Sequence, residues 1–359
     1  MKKAVLTLLL LAIPALVSAR DGIDERIEHL EERQAEIYHT LAGKKQAGLR
    51  SAITEKITIS GLIEVEAGVA ETHFTDAETV SESDIILATA QLGLGVELAE
   101  GITGDLILLY EEDATDLEVD EAAINFNNEV WFGRLGQQYV PFGVFHSHFI
   151  SDPLILELGE TRETALLAGY GNDIVSISAY MFNGDAEKET DREDHIRDWG
   201  LSLRSTPIED LTVGASYISD LADSDAEIVG DTFEERVGGW SAFFTIEPGS
   251  FHVTGEVLGA DSKFSAADLD ADGDGQGDRP LTWNLELAWY PSDVLELSVR
   301  YEGSDEFGGH PETQYGICTS WGVRENVSLS LEYLRGEFDS FGDGADTRNM
   351  VTAQLGLEF

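Results

Sequence analysis

A chain of 359 residues with 22 Lys and Arg against 69 Asp and Glu carries a formal charge of −47. A surface that acidic repels nucleic-acid phosphate, which excludes nucleic acid as a partner; its acidity fits either the handling of cations or the solubility of long exposed loops. The single cysteine, Cys318, excludes an internal disulfide and gives no zinc pattern.

Residues 1–19 read as a secretory signal peptide. Lys2 and Lys3 form a basic start, Ala4 to Leu16 is apolar around Pro14, and Val17-Ser18-Ala19 precedes a cut at Arg20. After residue 19 no stretch approaches the roughly 18 consecutive apolar residues of a membrane helix. The mature chain is therefore either soluble outside the cytoplasm or crosses a membrane as strands.

Residues 20–55 are expected to hold a periplasmic helix and a linker. Over residues 21–41, Ile23, Ile27, Leu30, Gln34, Ile37 and Leu41 recur at alternate spacings of four and three, a heptad seam that Gly43 stops. Three heptads are marginal alone. The spacing thus predicts either a short coiled coil, with partners supplied by a trimeric barrel, or an amphipathic helix packed on its own domain.

From 56 to 359 the period becomes two. Ile57, Ile59, Ile63 and Val65 alternate with Thr58, Ser60, Glu64 and Glu66, and the same texture recurs to the end of the chain. Turn signals divide it into sixteen strands near 56–70, 84–98, 103–112, 116–127, 129–138, 162–171, 173–183 and 196–205, then 210–220, 235–247, 250–260, 280–290, 293–303, 312–322, 326–337 and 348–359. Short turns such as Pro248-Gly249, Pro291-Ser292 and Arg324-Glu325 alternate with connections that are mostly long, acidic and glycine-rich. A one-sided division of turns and loops, with an even strand count, describes an outer-membrane barrel whose termini both face the periplasm. The last strand, Val351, Ala353, Leu355, Leu357 and Phe359, ends on an aromatic and is expected to pair with the first, closing the sheet.

The predicted fold class is all-β, a 16-stranded antiparallel transmembrane β-barrel preceded by a short N-terminal coiled-coil helix. If apolar side chains face lipid, the alternate set lines the pore: Glu64, Glu66, Glu97, Glu256, Glu286, Glu296 and few basic groups such as Arg300. A narrow lumen ringed by carboxylates favours cations.

One long connection is far more apolar than its sisters. It carries Phe142, Phe145, His146, His148, Phe149 and Asp152, and that composition needs shelter. The lumen would make it a constriction loop; a trimer interface is the other reading. His146 and His148 with Asp152 and Glu157 are weak metal-ligand spacing. A later loop holds Asp270, Asp272, Asp274 and Asp278; its Asp-Ala-Asp-Gly-Asp-Gly run matches the first half of a calcium loop, but Leu281 stands where the closing glutamate belongs. That loop is either a weak external Ca2+ site or an acidic flexible segment. No cofactor is required by the pattern. Catalytic signatures such as Gly-x-Ser-x-Gly or His-Glu-x-x-His are missing, so no enzyme is expected.

The segment Trp131-Phe132-Gly133-Arg134-Leu135-Gly136-Gln137-Gln138-Tyr139-Val140-Pro141-Phe142-Gly143 and the terminal Phe359 add a resemblance. The chain resembles the siderophore porin family of the LbtU type and, more distantly, the phosphate-selective porins. The resemblance covers the whole mature chain through loose motifs and assigns no ligand residues. It implies a channel or receptor of the bacterial outer membrane, in contact with outer-membrane lipid and a small-molecule solute or siderophore; the acidic lumen departs from the phosphate-selective pattern. The expected function is a porin passing small solutes passively, cation-preferring and trimeric. The alternative is a structural trimeric envelope protein without significant transport.

Overall fold

The computed structural model describes residues 56–190, 195–271, 273–338 and 344–359; the signal peptide and coiled-coil helix expected over 1–55 lie outside them. In chain order the strands are β1 (Ile57–Phe74), β2 (Val80–Ala99), β3 (Ile102–Glu111), β4 (Thr115–Asn127) and β5 (Trp131–Tyr139). A short helix α1 (Leu154–Gly159) precedes β6 (Arg162–Gly171), β7 (Val175–Phe182), β8 (Glu187–Lys188), β9 (Asp198–Ile208), β10 (Leu211–Ile218) and β11 (Thr232–Phe233). There follow β12 (Gly239–Ile246), β13 (Phe251–Ala260), β14 (Leu281–Ser292), β15 (Leu295–Asp305), β16 (Thr313–Arg324), β17 (Val327–Glu337) and β18 (Ala345–Glu358).

Sixteen of these strands form one closed antiparallel barrel, each paired with its neighbours in sequence and β1 closing on β18; β8 and β11 make a separate parallel pair in the loops. The closure reaches the last residue: Phe359 N–H donates to Gly61 O at 3.0 Å and Gly61 N–H to Phe359 O at 2.9 Å. A sheet closed on itself has no edge, so all its backbone groups pair within the wall.

Alternation builds the two faces. Along β18, Val351, Leu355 and Leu357 are exposed outward, whereas Thr352, Gln354 and Gly356 turn inward. The same outward apolar belt runs through Ile177, Leu203, Val299, Ile317 and Leu331, and exposed apolar surface of that extent is stable against lipid, not water. Strand position also sorts the aromatics. Trp131, Tyr170, Phe251, Trp289 and Trp321 lie at strand ends beside the short turns, with Trp131 on Tyr170 edge-to-face at 5.3 Å. Trp199, Tyr217, Trp240 and Trp283 lie at the opposite ends, with ring centroids of Trp199 and Tyr217 5.6 Å apart. These are two girdles around an apolar band.

Connections β2–β3, β4–β5, β6–β7, β9–β10, β12–β13, β14–β15 and β16–β17 are two to four residues long and share one end of the barrel with both termini of the sheet. The other end carries the long loops, including 140–161, 183–197, 219–238 and 261–280.

Three features depart from the sequence reading. β1 and β2 run beyond the expected ends at 70 and 84, because backbone pairing continues (Glu71 with Ser81, Thr72 with Val80) where alternation has ceased to matter. The helix α1 and the β8/β11 pair were unforeseen; six- and two-residue elements carry no periodic signal. Gly136 sits in β5 at φ +139°, where an added Cβ would lie 2.1 Å from Ala122 O, so only glycine lets β4 and β5 approach there.

Candidate functional site

The connection 140–161 leaves β5 at the long-loop end, enters the barrel, runs down the inner wall of β12–β17 and returns to β6. Its apolar side chains make the descent stable. Phe142, Ile155 and Leu158 are fully buried with Ile218, Leu221 and Leu258, and burying each such side chain is worth about 1.5–3 kcal/mol. The cluster continues through Phe182, Val237 and Phe264, so the β6–β13 side of the mouth is filled with packed side chains.

The polar half of the loop is held by the wall. Glu256 (β13) accepts from the Val144 and Phe145 N–H groups at 3.1 and 3.0 Å. Glu286 (β14) accepts from His148 N–H at 2.7 Å, Glu332 (β17) from Ile150 and Ser151 N–H at 2.7 and 3.0 Å, and Glu302 (β15) from Leu154 N–H at 2.8 Å. Charge-assisted bonds of this kind are each about twice as strong as neutral ones.

Beneath the loop lies Arg300, its side chain 0% exposed. It pairs with Glu286 at 2.8 Å and Glu302 at 3.3 Å. It also donates to Ser147 Oγ at 2.5 Å, Ser151 O at 2.9 Å and Asp152 O at 3.3 Å, and stacks under Phe149 at 4.4 Å. One guanidinium thus bridges two strands and the deepest turn of the loop.

Several inward-facing residues named from alternation therefore do not meet open lumen. Glu256, Glu286 and Arg300 point inward but are sealed under the loop. Glu296 is partly exposed and bonds His148 Nδ1 at 2.7 Å. Glu97 is exposed at the short-turn end of β2. Glu64 and Glu66 (β1) remain partly exposed on the free wall, where Gln354 donates to Glu66 at 2.9 Å.

The free wall, β1–β5 with β18, also carries Asp105, Glu111 and Glu121; Asn125 bonds Asp105, and Arg134 bonds Glu121. Asp152, on the loop, is exposed within the barrel. Desolvation within the barrel raises its carboxyl to about 6, the neighbouring Glu157 adds to this, Arg300 opposes it, and Glu111 and Glu64 across the lumen contribute further. Asp152 thus shares one field with carboxylates of the far wall.

Phe145 takes φ +53° and packs against the apolar cluster, and His146 follows it. His146 is held below the usual imidazole range by burial, Arg204 and His148. Sequence reasoning paired His146 with His148; the fold instead sets His148 Nε2 2.5 Å from His252 Nδ1, with His252 Nε2 3.3 Å from Glu247. His252 was missed because it lies on β13, 104 residues away, and nothing local marks it.

In the loop 261–280 the carboxylates serve their own backbone: Asp270 accepts from Gly275 N–H at 3.1 Å, Asp274 from Gln276 N–H at 2.7 Å and Asp278 from Ala271 N–H at 2.6 Å. Asp272 lies outside the described residues. Among the described residues, the carboxylates brought within reach of one ion are Asp198, Asp220 and Asp223, at the mouth between loops 183–197 and 219–238.

The fold is shared with outer-membrane porins: the outer membrane channel DcaP of Acinetobacter baumannii superposes with a TM-score of 0.64 at 15% identity, over 87% of this chain and all of that one. OmpF of Salmonella typhi, in a complex with daunomycin, gives 0.60 at 10% identity over 85% and 98%. No protein-family model matches the chain. In sequence it is similar to a UPF0422 protein of Coxiella burnetii, 23% identical over 302 residues and 77% of this chain, and to one of Legionella pneumophila, 25% identical over 244 residues and 58% of this chain. The chain spans 63% and 45% of the length of these relatives.

Proposed function

We propose that the protein is a passive, cation-preferring diffusion channel of the bacterial outer membrane, without enzymatic activity, its selectivity set where Asp152 of the infolded loop faces Glu64, Glu66 and Glu111. The observation that carries the reading is the infolded loop, docked on Glu256, Glu286, Glu302 and Glu332, which sets the exposed Asp152 inside a barrel whose free wall carries Glu64, Glu66 and Glu111. A constriction lined by carboxylates concentrates cations and excludes anions, the more so where low-dielectric walls focus the field. Among the described residues the basic groups facing the water are few, Arg204 of β9, beside His146, being one. Arg134 is engaged by Glu121, and Arg348 lies over Phe338 near the long-loop rim.

The apolar outer belt and two aromatic girdles support the location, and the trimer form of OmpT from Vibrio cholerae, a structure of the same fold (TM-score 0.53), supports a homotrimer. The resemblance carried by Trp131–Gly143 adds ferric siderophores to the solutes to be tried in uptake under iron limitation. Planar-bilayer recording tests the central claim. In a KCl gradient the reversal potential is expected to have the sign of cation preference, and Asp152→Asn and Glu64→Gln are each expected to reduce it. A bilayer showing no conductance would favour the structural envelope role, and an anion-selective potential would overturn the assignment of the constriction.

A further inference from the structure

We propose that Asp198, Asp220 and Asp223 form a binding site for a calcium-class divalent cation that clamps residues 183–190 and the 219–238 loop together at the mouth of the barrel. Asp198 is the first residue of β9; Asp220 and Asp223 follow the end of β10. All three are buried, and one carboxylate oxygen from each lies within 4.8 Å of the others. Oxygens at about 2.3–2.6 Å from one calcium ion can stand up to roughly 5 Å apart, whereas the about 2.1 Å shell of magnesium demands a tighter set. An all-oxygen donor set also selects a hard cation over zinc or copper.

Two observations separate this cluster from an ordinary acidic patch. The first is charge. Arg236 bonds Asp198 and approaches Asp220 Oδ2 at 3.4 Å, so among the described residues three buried carboxylates are set against one guanidinium. The second is an unsatisfied acceptor. Asp223 is 7% exposed; its Oδ1 accepts from Ala186 N–H at 3.1 Å, but its Oδ2 is buried with no hydrogen-bond partner, and Asp220 Oδ2 likewise accepts no hydrogen bond. The contrast with the constriction loop is direct, since Glu256, Glu286, Glu302 and Glu332 all accept bonds from loop N–H groups. Buried acceptors are rarely left unpaired, and an ion is one of the standard reasons when they are.

The surroundings suit a clamp. An added Cβ at Gly184 would lie 2.1 Å from Asp223 Oδ1, so glycine there allows the first loop to close over the carboxylate of the second. The same two loops meet again in the β8/β11 pair, and beneath them Phe182, Leu221, Phe233 and Val237 pack into the apolar cluster. An ion at the triad would fasten the polar side of a cap whose apolar side is already packed.

The test uses the full-length protein purified in detergent, stripped with chelator and titrated with Ca2+ alone by calorimetry, with proteolysis of the 219–238 loop followed in parallel. One site is expected in the range of about 10⁻⁴–10⁻³ M typical of extracellular calcium modules, with slower loop cleavage when it is filled. Asp223→Asn is expected to weaken it at least about tenfold, and Asp270→Asn to leave it unchanged. Asp220→Asn serves if Asp223→Asn fails to show the heat-modifiable gel mobility of a folded barrel. No binding by about 10 mM Ca2+ would overturn the proposal. So would binding indifferent to both triad variants, or binding abolished by Asp270→Asn instead.

Discussion

Replacing Arg300 by Met isolates what holds the loop in the lumen. Methionine keeps most of the apolar stem but removes the donors to Ser147, Ser151 and Asp152 and the partner of Glu286 and Glu302. Both glutamates are 0% exposed, so their charges are left uncompensated, and breaking a buried pair in this way costs about 3–5 kcal/mol. Spread over the docking equilibrium of the loop, that is roughly a 10²- to 10⁴-fold shift towards the undocked form. The bonds to Glu256 and Glu332 and the buried Phe142, Ile155 and Leu158 remain, so the barrel is expected to fold with a loop that opens more often. Amide hydrogen exchange across residues 144–154 should accelerate by orders of magnitude, and single-channel records should gain a larger, noisier conductance level. Adding Glu286→Gln and Glu302→Gln should recover part of the protection by removing the stranded charges. Unchanged exchange and unchanged conductance in the folded Met variant would refute the claim that Arg300 fastens the loop.

Three other outcomes follow from the same structure. Because the Asp152 carboxyl is raised to about 6, it becomes neutral as pH falls through that value; cation preference should drop across this window in reversal-potential measurements, and Asp152→Asn should flatten the step. Val351→Arg, on the exposed apolar face of β18, should cost about 2–4 kcal/mol of folding free energy in lipid vesicles, while Thr352→Arg, one residue along and facing the lumen, should cost far less; equal costs in urea titrations would contradict the assignment of faces. Gly136→Ala forces a side chain into φ +139° and against Ala122 O, a strain of at least about 1–3 kcal/mol from the backbone alone, and should lower the yield of heat-modifiable barrel.

The two-residue period and the spacing of turn signals were enough to place all sixteen barrel strands, the antiparallel order and the closure of β18 on β1. They suffice because a barrel wall between lipid and water imposes its pattern locally: each strand must alternate by itself, and each connection declares its length in its own residues. The apolar composition around Phe142 to Phe149 likewise marked a loop that needs burial. What covers that loop, and what it covers, belonged to the tertiary structure. Glu256, Glu286 and Arg300 look in sequence like pore-lining charges, yet each is consumed in docking a segment more than a hundred residues away. His252 beside His148, and Asp198 beside Asp220 and Asp223, are neighbours only once strands and loops have been brought together. Alternation specifies which way a side chain points; which partner it meets there is decided by loop packing, for which a strand's own residues carry no code.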